Sequence, residues 1–323
     1  MKHSNIILPL LAAVALSSCN KQAATDALLP EDRIIRVETS VDPDTKGSYT
    51  KDNLDEFVLF VYNWTASYYD IVPRYNYNYK VVFKKEGSEW TPQGGVLPLW
   101  RNAEDIIHMI AIAPPAVLGD NVTYDYFGIR DKVIAEVQSV QTIDNNGSDI
   151  IGWSKYGQAS DFLTNGKVKI DFSHLMSKLT LSFELATEFN AQGIPANDIV
   201  SNVIISGAYN QASIKSGQND ISADPYKSDS DIKAYNTNWT SASSKDEKCI
   251  SEWECILVPT VPEITITITF DVNGVAYSCN VTHGFESGCN HKLKIIVGSD
   301  VAYPSGMSIR AWTNGGSSEL ETE

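Results

Sequence analysis

Apolar and polar residues alternate two by two along much of this chain. In 34–41, Ile35, Val37, Thr39 and Val41 are apolar or β-branched, and Arg36, Glu38 and Ser40 sit between them. That is the period of a half-buried strand. The same reasoning predicts strands over 57–62 (FVLFVY), 79–83, 106–112 and 168–172. It predicts others over 179–185, 203–205, 249–258, 264–270, 275–281 and 293–297. Helical periodicity is rare, and 130–140 is the strongest helix candidate. Many short strands separated by Gly, Asn and Pro turns predict an all-β protein of antiparallel β-sandwich domains.

One hairpin can be read in register. Asn273-Gly274 is the favoured two-residue loop, because both central positions need positive φ. Folding about it pairs Val272 with Val275, Phe270 with Tyr277, Ile268 with Cys279 and Ile266 with Val281. Every pair is apolar, while Thr265, Thr267 and Thr269 point the other way, as a half-buried sheet requires. The register puts Cys279 on the buried face.

The first residues follow a different pattern. After Lys2 and His3, residues 6–16 are almost purely apolar. That run is too short to span a bilayer, which takes about 20 residues, and has the length of a secretory signal's apolar region. It ends in Leu16-Ser17-Ser18-Cys19, which resembles a bacterial lipoprotein signal. Residues 1–18 are therefore read as the signal peptide, with Cys19 as the lipidated mature N-terminus. Two or more acyl chains give stable anchoring where one is marginal. Residues 20–33 read as a tether, and the segment PDTKGSYTKDN after the first strand reads as an exposed loop.

Length and composition narrow the class. The 323 residues, 43% hydrophobic, suffice for two ordinary domains. The net charge of -15 argues against nucleic acid or anionic lipid as a partner. Cys249 and Cys255 are six apart on a predicted strand, about 20 Å when extended, too far for a mutual disulfide of roughly 4.4–6.8 Å. Separate thiols, or bridges from either one to Cys279 or Cys289, both remain open. There is no CxxC or HExxH pair, no GxSxG elbow and no GxxxxGK[ST] or GxGxxG loop. The expectation is no metal, no cofactor and no enzyme. His174 reads as a structural imidazole serving backbone groups at an interdomain turn. Tyr75, Tyr77 and Tyr79 read as one face of an edge strand; exposed, they would suit recognition of a glycan or a protein.

The order of these pieces resembles a family. The lipidation signal, LDEFVLFVY (54–62), DFSHLMSKLTLSFEL (171–185) and MSIRAW (307–312) are similar to segments of the fimbrillins, the subunits of type V pili. The resemblance implies two tandem transthyretin-like β-sandwich domains, here 47–173 and 174–323, behind a lipidated propeptide of 19–46. It implies an outer-membrane lipoprotein precursor and a trypsin-like protease that cuts after the first strand, here between Lys46 and Gly47. The displaced strand would carry Ile35, Val37, Thr39 and Val41, and a donor strand would carry Met307, Ile309 and Ala311. The partners implied are other fimbrial subunits and, for an adhesive member, a host glycan or protein. The family's studied members are cut after arginine, whereas this loop offers Lys46. An uncleaved chain would remain lipid-anchored as an anchor or tip subunit, or act as a surface glycan-binding protein.

Overall fold

The computed structural model describes residues 28–41, 49–63, 79–117, 124–125, 128–129, 133–143, 148–197, 199–217, 219–228, 230–299 and 301–311. The first part contains β1 (Val37–Val41), β2 (Glu56–Asn63), β3 (Tyr79–Glu86), β4 (Glu89–Pro92) and β5 (Ile107–Ala113). It continues with β6 (Tyr124–Asp125), β7 (Gly128–Ile129), β8 (Val133–Glu136), β9 (Ile151–Gly157), a single-turn helix α1 (Ala159–Phe162), β10 (Leu163–Thr164) and β11 (Lys167–His174). The second part contains β12 (Ser177–Leu185), β13 (Val200–Ser206), β14 (Gln211–Ser216), β15 (Ile221–Lys227), β16 (Ile232–Lys233) and β17 (Tyr235–Thr240). It ends with β18 (Cys249–Leu257), β19 (Thr260–Val272), β20 (Val275–Phe285), β21 (Cys289–Val297) and β22 (Ala302–Ala311).

The first sheet runs β1-β11-β9-β5-β2-β3-β4, with β10 attached to β11. Its two ends curl toward each other, and Lys167 on β11 pairs with Glu89 on β4 at 3.1 Å. The curl encloses a core of Phe57, Leu59, Phe83, Met109, Ile170 and Phe172. Phe57 anchors it, stacking on Phe83 with centroids 5.4 Å apart and meeting Trp90 and Phe172 edge-on.

The continuous run in β2 has a structural cause. Phe57, Leu59 and Val61 fill this first core, while Val58 and Phe60 belong to a second core with Ile110 and Ile112 of β5. A strand buried on both faces reads as unbroken apolar sequence rather than an alternation. The three-stranded sheet β15-β14-β8 supplies Val133, Ala135, Ala212, Ile214 and Ala223 to that second core. Gly152 on β9 permits the approach, since a Cβ there would lie 2.9 Å from Ile221 on β15.

The helix expected over 130–140 is not formed, because its described residues include the strand β8, Val133–Glu136. Val133, Ala135 and Val137 are buried while Ile134 and Glu136 are more open, a period of two that suits β-branched residues. β8 pairs antiparallel with β14, so a segment preceding β9 is woven into the part of the chain that follows β12. The weave extends further. Val140 bridges Lys233, and the Gln141 side chain both donates to the Ile256 carbonyl (2.8 Å) and accepts from its N–H (2.7 Å).

The second sandwich faces β17-β18-β12-β21-β22 against β16-β13-β19-β20. Leu179, Leu181, Phe183 and Leu185 of β12 fill its core, with Phe183 and Phe270 rings 4.5 Å apart. The β19–β20 hairpin adopts the register read from sequence, Val272↔Val275 through Ile266↔Val281, and Asn273 and Gly274 have φ of 52° and 77°. On the opposite face of the five-stranded sheet, Glu184 bridges Lys248 and Lys294, and Glu252 pairs with Lys292.

Candidate functional site

The residues singled out for strand exchange lie at two sheet edges. The segment 33–41 is held in two stretches. Ile34 bridges Leu99 antiparallel, with Ile35 N–H donating to the Pro98 carbonyl (2.8 Å) and Trp100 N–H to the Arg33 carbonyl (2.7 Å). β1 then runs parallel to β11, with five partners from Val37↔Val168 to Val41↔Phe172. Among the described residues, no other strand pairs with β1.

The side chains divide as the alternation requires. Ile35, Val37 and Val41 are buried in the first core, and Thr39, opposite Ile170, is half-buried. The outward residues are tied locally. Arg36 pairs with Asp32 at 2.5 Å and holds its carboxyl down at about 2. Ser40 Oγ donates to Asp171 on β11.

β11 depends on this arrangement. On its other side it meets β9 only at Ser173↔Gly152 and His174↔Ile151, and β10 covers only Lys167 and Val168. Among the described residues, β1 is the strand partner of 169–172, which neither β9 nor β10 reaches.

In the second sandwich, among the described residues, β22 pairs only with β21, opposing Leu293↔Met307, His291↔Ile309 and Cys289↔Ala311. Met307 is half-buried against the second core, whereas residues 303–306 are exposed. Cys19, Lys46 and Gly47 lie outside the described residues, as do Tyr75 and Tyr77. Tyr79 begins β3 and is buried.

His174 has a partner that the sequence does not reveal. Its Nδ1–H donates to Asp149 Oδ1 and Oδ2 at 3.1 and 2.9 Å, in place of the backbone groups expected. Asp149 also accepts the N–H of Tyr49 at 2.9 Å, and it is completely buried. A second imidazole pair lies beside β22. Glu286 N–H donates to His291 Nε2, leaving the proton on Nδ1, which donates to His283 Nε2 at 3.0 Å. Burial, reinforced by His283, pushes His291 down to about 4.

Cys249, Cys255, Cys279 and Cys289 are free thiols, the first three buried. Burial pushes Cys279 up to about 11, so that thiol is a poor nucleophile. Among the described residues, no group of three or more His, Cys, Asp or Glu is placed to hold a metal ion. No described helix is long and apolar enough to cross a membrane. A cleft of about 430 Å³ lies against β9 and β11, lined by polar residues such as Ser154, Asp171, Ser173, Asn219 and Asp220. Trp153 at its edge turns toward Phe162 in the first core, with centroids 6.3 Å apart.

The sheets define an all-β protein of packed sandwiches, with separate strands at two exposed edges. Solved structures share this fold. A candidate cell adhesion protein from Bacteroides ovatus ATCC 8483 is 15% identical, with a TM-score of 0.59 over 88% of this chain and 99% of its own. Another from Bacteroides uniformis ATCC 8492 is 17% identical, with a TM-score of 0.56 over 87% of this chain and 100% of its own. A search of curated proteins gave no match. The sequence profile of the fimbrillin-like family matches residues 43–312. The chain belongs to the fimbrillin-like family.

Proposed function

We propose that this chain is a structural subunit of a cell-surface fimbria, exported as a lipoprotein on Cys19 and polymerised by strand exchange. In this reading a trypsin-like protease cuts between Lys46 and Gly47, residues 19–46 leave, and a strand of the next subunit takes the place of β1. The observation that carries it is the seating of 33–41, an edge segment whose ladder partners are residues 98–100 and β11 and whose buried side chains are Ile35, Val37 and Val41.

Losing that segment exposes apolar pockets worth about 2 kcal/mol per side chain. It also strips the main-chain partners from residues 168–172. An incoming strand restores both, with ladder bonds giving affinity and alternate pockets giving register. The stretch carrying Met307, Ile309 and Ala311 suits the donor role, because β22 is itself an edge strand with an exposed middle. The two sandwiches, 47–173 and 174–323, would then serve as the rigid repeat of the fibre, and any host glycan or protein would be met on its surface.

Treating the full-length chain in detergent with a low dose of trypsin tests this. Intact-mass analysis is expected to show cleavage after Lys46, and negative-stain images a ladder of polymers. A cleaved product that stays monomeric with residues 19–46 still bound would overturn the stalk role. Resistance of that bond to trypsin would move the chain to the part of a lipid-held anchor.

A further inference from the structure

The chain on the two sides of the proposed cut is held by chemically different contacts. Val41 ends β1, and Tyr49 is the next described residue. β1 is seated by neutral main-chain hydrogen bonds and apolar side chains at a sheet edge. Another strand can supply every one of those contacts. Tyr49 is seated by its N–H on the carboxylate of Asp149, and that carboxylate is completely buried. The same buried side chain holds both the Tyr49 N–H and the His174 ring, an arrangement that an incoming strand's backbone does not duplicate.

Three further features reinforce the seat. The Tyr49 ring is buried in the first core beside Leu54. Residues 50–54 form a closed turn, with Thr50 N–H donating to Asn53 Oδ1 (2.6 Å) and Leu54 N–H to the Thr50 carbonyl (3.0 Å). Asp149 is in turn oriented by His174, the last residue of β11. β11 thus holds both arms of the chain, the preceding arm along its length and the following arm through its final side chain.

We propose that Asp149, oriented by His174, is a positioning residue that keeps the chain from Tyr49 onward seated once the segment between Val41 and Tyr49 is cut, so that only the preceding arm departs. This rests on the reading of residues 19–46 as a departing segment. In the intact chain, β1 restrains Tyr49 through the covalent connection, and the carboxylate is partly redundant. In the cut chain it becomes the principal tether of the new N-terminal end. A residue with only a packing role would matter equally in both.

The test is hydrogen exchange read by mass spectrometry over residues 49–54, with β2 as internal control, before and after cutting. Full-length chains carry a site-specific protease's recognition sequence in place of residues 42–48, so that cutting does not depend on Lys46. The expected result is that cutting barely changes exchange with Asp149 present. Asp149→Asn, which keeps the shape and folds most readily, is expected to raise exchange about tenfold in the cut chain alone. Asp149→Leu, lacking any acceptor, is expected to raise it further. Equal exchange in cut wild-type and both variants would overturn the proposal, as would a rise of the same size in the uncut variants. Trypsin sparing Lys46 in the unaltered chain would instead overturn the reading of the departing segment, leaving this comparison intact.

Discussion

At the scale of single residues, the most consequential side chains are polar and buried. Gln141 offers Ile256 both a donor and an acceptor just before the start of β17, so its amide continues the sheet by one peptide-like unit. Replacing it leaves two main-chain groups buried and unpaired, each costing about 1–3 kcal/mol. Gln141→Leu is therefore expected to lower stability by about 3 kcal/mol and Tm by roughly 10 °C, measured by urea titration and calorimetry. Gln141→Glu keeps one of the two hydrogen bonds and is expected to fall between. Neither Gln141 nor Asp149 stood out in the sequence. Their partners lie 115 and 25 residues away, and a hydrogen bond across such a separation leaves no periodic trace.

At the scale of elements, patterns carry information where local chemistry and burial agree. The β19–β20 register was legible because a turn demanding positive φ coincides with an apolar stripe of period two. The 130–140 segment was not. Its β-branched residues have weak helical preference, and only the antiparallel partner β14 turns them into a strand. β1 lies between these cases. Its alternation was readable, yet the interruption between the Ile34 bridge and Val37 depends on residues 98–100. Val37→Ala is expected to weaken the seating of β1 by about 2 kcal/mol, while Thr39→Ala, half-exposed, is expected to cost about 0.5 kcal/mol. Equal effects in a chemical denaturation series would contradict the assignment of inward and outward faces.

At the scale of the whole molecule, charge and burial set the response to acid. The ordinary imidazole value is 6.5, and His291 is held near 4 by burial and by His283. The unfolded chain therefore binds a proton that the folded chain refuses between those values, so stability falls as pH drops from 6.5 toward about 4. The contribution is on the order of 2–3 kcal/mol. A second loss follows below the ordinary 4.5 of Glu184, whose carboxyl is held down by Lys248 and Lys294. Urea midpoints between pH 7.5 and 3 are expected to show both stages, and His291→Gln to flatten the upper one. A profile unchanged by that substitution would assign the upper stage to other groups. His291 lies opposite Ile309 in the β21–β22 ladder.

The sequence by itself determined the class of protein. Period-two alternation, frequent turn residues and the spacing of apolar runs follow from local geometry, and they sufficed for an all-β sandwich and one complete hairpin register. The ordered segments resembling fimbrillins pointed to the family that the profile match establishes. Tertiary structure alone decided what binds across distance. It wove 133–141 into the later sheets, gave His174 the carboxylate of Asp149, left four cysteines as free thiols and placed β1 at an edge with β11 as its strand partner. The physical reason is that periodicity reports whether a side chain faces water or a core. It does not report which residue waits on the other side.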